Sequence, residues 1–153
     1  MLSIVSWNIQ YGKGVDGIID LSRVAEVIHQ DGLPDILCFQ EVSRNDPDTN
    51  NGNDQVNELH KLFPNYEAFF GTSHDRSGGK NNGRREFGNL ILTRNSPILV
   101  LHHTLPSPAD SKAKFMARQT TEMVIQTSKI AFRMMNTHLE FFSEKQKIRG
   151  FKM

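Results

Sequence analysis

The sequence predicts an α/β domain built on a mixed sheet, and three observations predict it. The first forty or so residues read strand, helix, strand. Five later segments read as strands, being short and apolar or alternating between apolar and polar residues. The last two of these flank Thr127-Ser128-Lys129, as a hairpin does. A strand-helix-strand unit gives two parallel strands with a right-handed crossover, whereas a hairpin is antiparallel, so the sheet is expected to be mixed.

Residues 2–9 are rich in branched and aromatic side chains and break at Gln10-Tyr11-Gly12-Lys13-Gly14, the pattern of a buried strand. Leu21, Val24, Ala25 and Ile28 then recur at helical spacing, with Asp20 as the cap and Gly32 and Pro34 ending the segment. Residues 36–39 form the second strand. From 44 to 57 the chain turns polar and rich in Asn and Asp, a surface loop, before Val56, Leu59, His60 and Phe63 mark a second helix stopped by Pro64. Strands are expected at 66–70, 87–93, 98–101, 120–125 and 130–135, and a further helix begins at 143–149. Neither an internal repeat nor a dividing linker is apparent.

At 153 residues the chain is long enough for one domain with a real core. Its single cysteine, Cys38, lies in the apolar run Ile36-Leu37-Cys38-Phe39, which excludes a disulfide scaffold and suits a reduced, cytoplasmic setting. No apolar stretch approaches the roughly 18 residues needed to span a membrane, and the start of the chain lacks signal-peptide character. Eighteen Lys and Arg balance seventeen Asp and Glu, a net charge of +1, which argues against a broad polyanion-coating face. Locally, Arg76, Lys80, Arg84, Arg85 and Arg94 stand against only Glu86. That segment reads first as a solvated basic loop and second as a place where one anion binds.

Polar residues stand at the ends of the expected strands. Asn8 closes the first and Glu41 the second, and in a strand-helix-strand unit those ends lie side by side, at the sheet edge where open α/β sheets bind ligands. A carboxylate beside an amide there suits Mg²⁺, which takes oxygen ligands and keeps most of its waters. Taken alone, Asn8 also fits a turn and Glu41 a surface acid. His138 follows the strand at 130–135 through Asn136-Thr137, where it could donate to a phosphate oxygen or simply be a satisfied edge histidine. His102 and His103 are adjacent on a strand and point to opposite faces, so they do not share a metal. Asp46, Asp48 and Asn50 do not make a calcium loop, because Pro47 intrudes and the glycine falls at Gly52. Gly12-Lys13-Gly14 carries neither the dinucleotide glycine spacing nor a phosphate-loop Gly-Lys-Ser/Thr.

Taken in order, Ser6-Trp7-Asn8-Ile9, residues 35–42 (DILCFQEV), residues 87–94 (FGNLILTR), Arg118 within Met116-Ala117-Arg118-Gln119, and Asn136-Thr137-His138-Leu139 resemble the endonuclease/exonuclease/phosphatase family, the deoxyribonuclease I-like superfamily. The style is most like bacterial members of unassigned substrate. The resemblance implies a four-layer sandwich of two mixed β-sheets flanked by helices, with the site at one end. It implies a metal-dependent phosphoesterase in which Mg²⁺, with Mn²⁺ as the substitute, is bound by Glu41 with support from Asn8. Asn8 and His138 would be the catalytic side chains, His138 contacting the scissile phosphate. Arg118 and Asn89 match recurring positions that serve either a phosphate contact or the fold, and the Arg84-Arg85 segment could touch a substrate phosphate.

The family pattern continues to a Gly-Asp-x-Asn block and an Asp-His pair that are absent here. Residues 1–153 are therefore expected to be the amino-terminal portion of a single such domain, catalytic only with a carboxyl-terminal half. The alternative is a naturally short, non-catalytic module that binds metal or phosphate. The expected partner is a phosphoester, whether nucleic acid, phospholipid or small diester. A dimer or another partner would cover the sheet face left open by a half-domain, with Met116, Met123, Met134 and Met135 as candidates to line it.

Overall fold

The computed structural model describes residues 2–78, 83–112, 116–127 and 130–150. β1 (Ile4–Asn8) leads through a 3₁₀ turn (Gln10–Gly12) to α1 (Leu21–Gln30) and β2 (Ile36–Arg44), the expected strand-helix-strand unit. Asp20 caps α1 as the sequence suggests, its carboxylate accepting from the Ser22 amide at 2.8 Å. α2 (Pro47–Asn50) and α3 (Gln55–Leu62) follow, and then come strands β3 (Glu67–Ser77), β4 (Arg84–Thr93), β5 (Pro97–Leu105), β6 (Arg118–Gln126) and β7 (Ala131–Thr137). α4 (Glu144–Gly150) ends the described chain.

The strands make two sheets that pack face to face. The first has the order β1-β2-β4-β3 and is mixed, with β1 parallel to β2 and the remaining pairs antiparallel. The second, β5-β6-β7, is antiparallel throughout because its strands are consecutive in the chain. Ser128 and Lys129, in the connection between β6 and β7, lie outside the described residues, as do 79–82 between β3 and β4.

Alternation along β2 divides the core in two. Leu37 and Phe39 face α1 and α3, where Val24, Ile28, Leu59, Phe63 and Leu90 close around them. Ile36 and Cys38 face the other way, against Ile91, Met123 and Ile125 between the sheets. Met123 is thus fully buried and Met134 packs beside it, while Met135 is exposed on the outer face. Burial also pushes the Cys38 thiol up to about 12, so it stays protonated and inert.

The interface between the sheets is polar at one end. Asn136, buried on β7, donates from Nδ2 to the carbonyls of Phe39 and Leu90, both at 3.1 Å, and accepts from Gln40 Nε2 at 2.7 Å. Gln119 of β6 donates to the Gly71 carbonyl at 2.9 Å. Any side chain at Gly71 would collide with Thr121 Oγ1 and the Gln119 amide, so the approach of β6 to β3 requires glycine there.

Several expectations change in the structure: β1 is a half-exposed edge strand, not a buried one, and β3 and β5 run past residues 70 and 101 to Ser77 and Leu105. β2 does not stop at Phe39; it continues to Arg44 through an irregularity between Phe39 and Val42, where Glu41 sits with φ 59°. The bulge resets the alternation, so that Phe39 and Val42 share the helix-facing core. The 44–57 stretch is not merely a solvated loop either. Asp46 is buried and binds Arg76 at 3.1 Å and Arg85 at 3.7 Å, and Arg85 also binds Asp48 at 3.2 Å. With Arg84 on Asp75 and Arg94 on Asp35, every arginine of the basic segment has a carboxylate within the chain.

Asn136→Ala leaves the Phe39 and Leu90 carbonyls unpaired in a dry interface, at a cost of roughly 3 kcal/mol. Urea denaturation is expected to show that loss as a lower midpoint with an unchanged slope.

Candidate active site

The polar end of the sandwich gathers residues from five strands. Asn8 ends β1, and its Nδ2 donates to Glu41 Oε1 at 3.0 Å. The orientation of that amide is set by its other end, because Asn8 Oδ1 accepts from the Gln10 backbone N–H at 3.0 Å. Glu41 reaches the site because the bulge turns it out of the strand, at the expense of a left-handed backbone uncommon for a residue with a side chain.

His138 lies just past β7, with Nε2 3.3 Å from the same Glu41 oxygen. That contact is out of line for a hydrogen bond, so Nε2 is buried without a hydrogen-bonding partner. Burial first, and then the nearby Arg118 cation, push the His138 imidazole below its ordinary value, against opposing pulls from Glu41 and Glu140. The ring is therefore neutral near pH 7. Phe141 packs edge-on against it.

Arg118 begins β6 and is almost fully buried. Its Nε donates to Glu140 Oε2 at 3.1 Å, and its guanidinium lies over the Phe141 ring, 5.5 Å from the centroid. Glu140 also accepts from the backbone N–H groups of Phe141, Phe142 and Ser143 at the start of α4. Burial would raise the Glu140 carboxyl, but the Phe142 amide and Arg118 outweigh it and hold the group below its usual value. Each charge of this pair is thus matched, as burial demands.

Glu41, Ser73, Asn89, Arg118 and His138 line one narrow cleft, floored by Gly88, with a volume of about 10 Å³, room for a single water-sized group. Asn89 donates to the Gln119 carbonyl at 3.3 Å and so ties the sheets together while bordering the cleft. Arg85 is not brought here. Its Nη1 is held by Asp48, beyond the cleft along β4.

The donor set fits a hard, largely hydrated divalent cation. Both contacts of Glu41 fall on Oε1, leaving Oε2 for another ligand, and the neighbouring groups are an amide and an imidazole. Among the described residues no group of three or more His, Cys, Asp and Glu side chains stands together. A cation held by one carboxylate and water is within the habit of Mg²⁺.

Sequence reasoning named Asn8, Glu41, His138, Arg118 and Asn89 and missed two polar side chains around them: Gln40, which bonds Asn136, and Glu140, which bonds Arg118. The available signals were a glutamine inside an apolar strand and an acid two residues after the histidine.

A family model described as the Endonuclease/Exonuclease/phosphatase family matches residues 5–129. Among solved structures, an endonuclease/exonuclease/phosphatase from Beutenbergia cavernae DSM 12333 superposes with TM-score 0.78 at 22% identity, covering 99% of this chain and 42% of that one. A family protein from Leptotrichia buccalis C-1013-b gives TM-score 0.68 at 14% identity, covering 99% and 62%. The human Nocturnin catalytic domain, solved with a bound sulfate anion, gives 0.61 at 16%, covering 96% and 53%. This chain therefore spans less than two thirds of the length of each. Comparison with curated proteins gives no significant match. The family model covers most of the chain and the two-sheet fold agrees with all three structures: the chain belongs to the endonuclease/exonuclease/phosphatase family, whose members are generally metal-dependent phosphoesterases.

Proposed function

We propose that this chain carries the amino-terminal part of a phosphoester-hydrolysing site dependent on Mg²⁺ or Mn²⁺. The observation that carries the reading is the convergence of Glu41, Asn8, His138 and Arg118 on one end of the sandwich, with Glu41 Oε1 within 3.3 Å of both Asn8 Nδ2 and His138 Nε2. Glu41 would hold the cation, and Asn8 fixes the carboxylate by donating to one of its oxygens. When bound, the metal supplies charge neutralisation for the phosphoryl group and acidifies a bound water. His138, kept neutral, can donate an N–H to a phosphoryl oxygen without adding a proton of its own. Arg118 contributes a permanent positive charge at the cleft wall, aimed by Glu140. The reaction served by this arrangement is attack of water on phosphorus, in line with the departing alkoxide. The choice of phosphoester falls to the surrounding loops, since the fold hosts several.

A second reading is a module that binds cation or phosphate without turnover, for which the Glu41 carboxylate beside Asn8 and His138 also suffices. One experiment separates the two. Bis(p-nitrophenyl) phosphate is supplied with Mg²⁺ or Mn²⁺, and Glu41→Ala is compared with the parent. Hydrolysis reduced by about a hundredfold or more in the variant, with folding intact, supports catalysis. Cation binding that needs Glu41 but gives no turnover supports the module.

The state of His138 gives a second prediction. Its folded value lies below the ordinary 6.5, so the unfolded chain takes up the proton first. Stability of the metal-free protein is then full above pH 6.5 and declines as the pH falls toward and through the lower folded-state value. An NMR titration of the ring is expected to place its midpoint below 6.5, and His138→Gln to flatten that part of the stability profile.

A further inference from the structure

Gln55 is the first residue of α3 and is only 1% exposed, although its side chain is polar. Both ends of its carboxamide are used, and they reach two different elements, the 3₁₀ turn after β1 and the end of β2. Nε2 donates to the Tyr11 carbonyl at 2.7 Å, and Oε1 accepts from the Ser43 backbone N–H at 3.0 Å. Tyr11 lies three residues after Asn8, and Ser43 two after Glu41.

The backbone on both sides is held in an unusual conformation. Five non-glycine residues have positive φ among the described residues, and three of them, Gln10 (48°), Tyr11 (46°) and Glu41 (59°), lie in these two segments. Gly12, at φ 78°, extends the left-handed run to three consecutive residues. Side-chain-bearing residues stay in this region only where their surroundings over-determine it. The local hydrogen bonds from Gly12 N–H to the Ile9 carbonyl and from Lys13 N–H to the Gln10 carbonyl close the turn, and the bond from Gln55 anchors it to the rest of the fold.

We propose that Gln55 is a positioning residue for the Asn8–Glu41 pair, which rests on the reading of that pair as the cation site. The coupling runs through identified atoms. Gln55 fixes the Tyr11 carbonyl, and the left-handed turn then presents the Gln10 N–H to Asn8 Oδ1. With its oxygen so engaged, the Asn8 amide has one orientation, Nδ2 toward Glu41 Oε1. The opposite end of Gln55 holds Ser43, immediately past the bulge that turns Glu41 into the cleft. A residue here must donate and accept at once, which glutamine does and glutamate or methionine of similar length does not.

The test compares Gln55→Met with Val56→Ala, a neighbour on α3 that packs against the helix-side core and has no part in the clamp. Mn²⁺ affinity is measured by paramagnetic relaxation of water, and the Asn8 side-chain NH₂ resonances by NMR without metal. Q55M is expected to bind Mn²⁺ at least tenfold more weakly, the range typical of lost outer-sphere support. Its Asn8 NH₂ resonances should move toward those of a free amide, while V56A lowers the melting temperature yet keeps both readings. Wild-type Mn²⁺ affinity with unchanged Asn8 resonances in Q55M overturns the proposal. So does an equal loss in V56A, which would make the effect one of general stability. Should the parent chain bind no Mn²⁺, the cation reading fails on its own, and the clamp stands or falls on whether Q55M displaces the Asn8 resonances. Gln55→Glu keeps the acceptor for Ser43 and, where its carboxyl is ionised, replaces the donor to Tyr11 with an oxygen that repels that carbonyl, and serves in the same measurements at alkaline pH if Q55M does not fold.

Discussion

Asn136 reaches across the gap between two sheets and satisfies three partners at once, and the placement of everything at that end follows from it. Two backbone carbonyls of the first sheet, on Phe39 and Leu90, accept from the Asn136 amide, and an apolar residue in its place would offer them no donor in the interface. By filling both and accepting from Gln40, Asn136 sets the height and the lateral register of β7 over β2 and β4. His138 is two residues further along and Glu41 is next to Gln40. The distance between those two depends on this buried amide together with the bulge at Glu41, while the apolar contacts of Met123 and Ile125 supply adhesion without direction.

Charge at this end of the sandwich is kept from solvent. Arg118 is kept as a buried cation by Glu140, which is itself secured by three backbone N–H groups at the start of α4. α4 in turn is moored to the segment before β6 through Ser143 on Asp110 and Gln146 on the Pro108 carbonyl. A cation so supported cannot swing away to find water, and its field adds to burial in depressing the proton affinity of His138. The wall of the cleft thus depends on contacts made some distance behind it.

The fold was largely legible in the sequence because its opening unit is made of local signals. The Asp20 cap, the helical spacing of Leu21, Val24, Ala25 and Ile28, and the apolar run at 36–39 each report on neighbours in the chain. Asn8 and Glu41 stood out because strand ends are where polar residues in apolar runs need explaining. The bulge at Glu41 was not legible. It depends on pairing with β4, some fifty residues later, and nothing in Gln40-Glu41-Val42 marks a left-handed residue. Arg85 was misplaced for a related reason. A run of arginines looks like an anion site until the acids that neutralise it, Asp46, Asp48 and Asp75, are brought alongside by folding. Gln55 carries no signal at all as a lone glutamine in a polar stretch, since its value lies in two backbone groups from other elements.

Gly71 bears on how such a protein can change over generations. With no room for a methyl group between β3 and the Gln119 and Thr121 side chains, a substitution there is accommodated only by shrinking the facing residues or by lifting β6. Lifting β6 also lifts Arg118, at its start, away from the strand that carries Glu41. Position 71 is consequently coupled to positions 119 and 121: a larger residue there is accepted where those facing side chains have shrunk or turned aside, and otherwise at the expense of the alignment of the cleft's two walls.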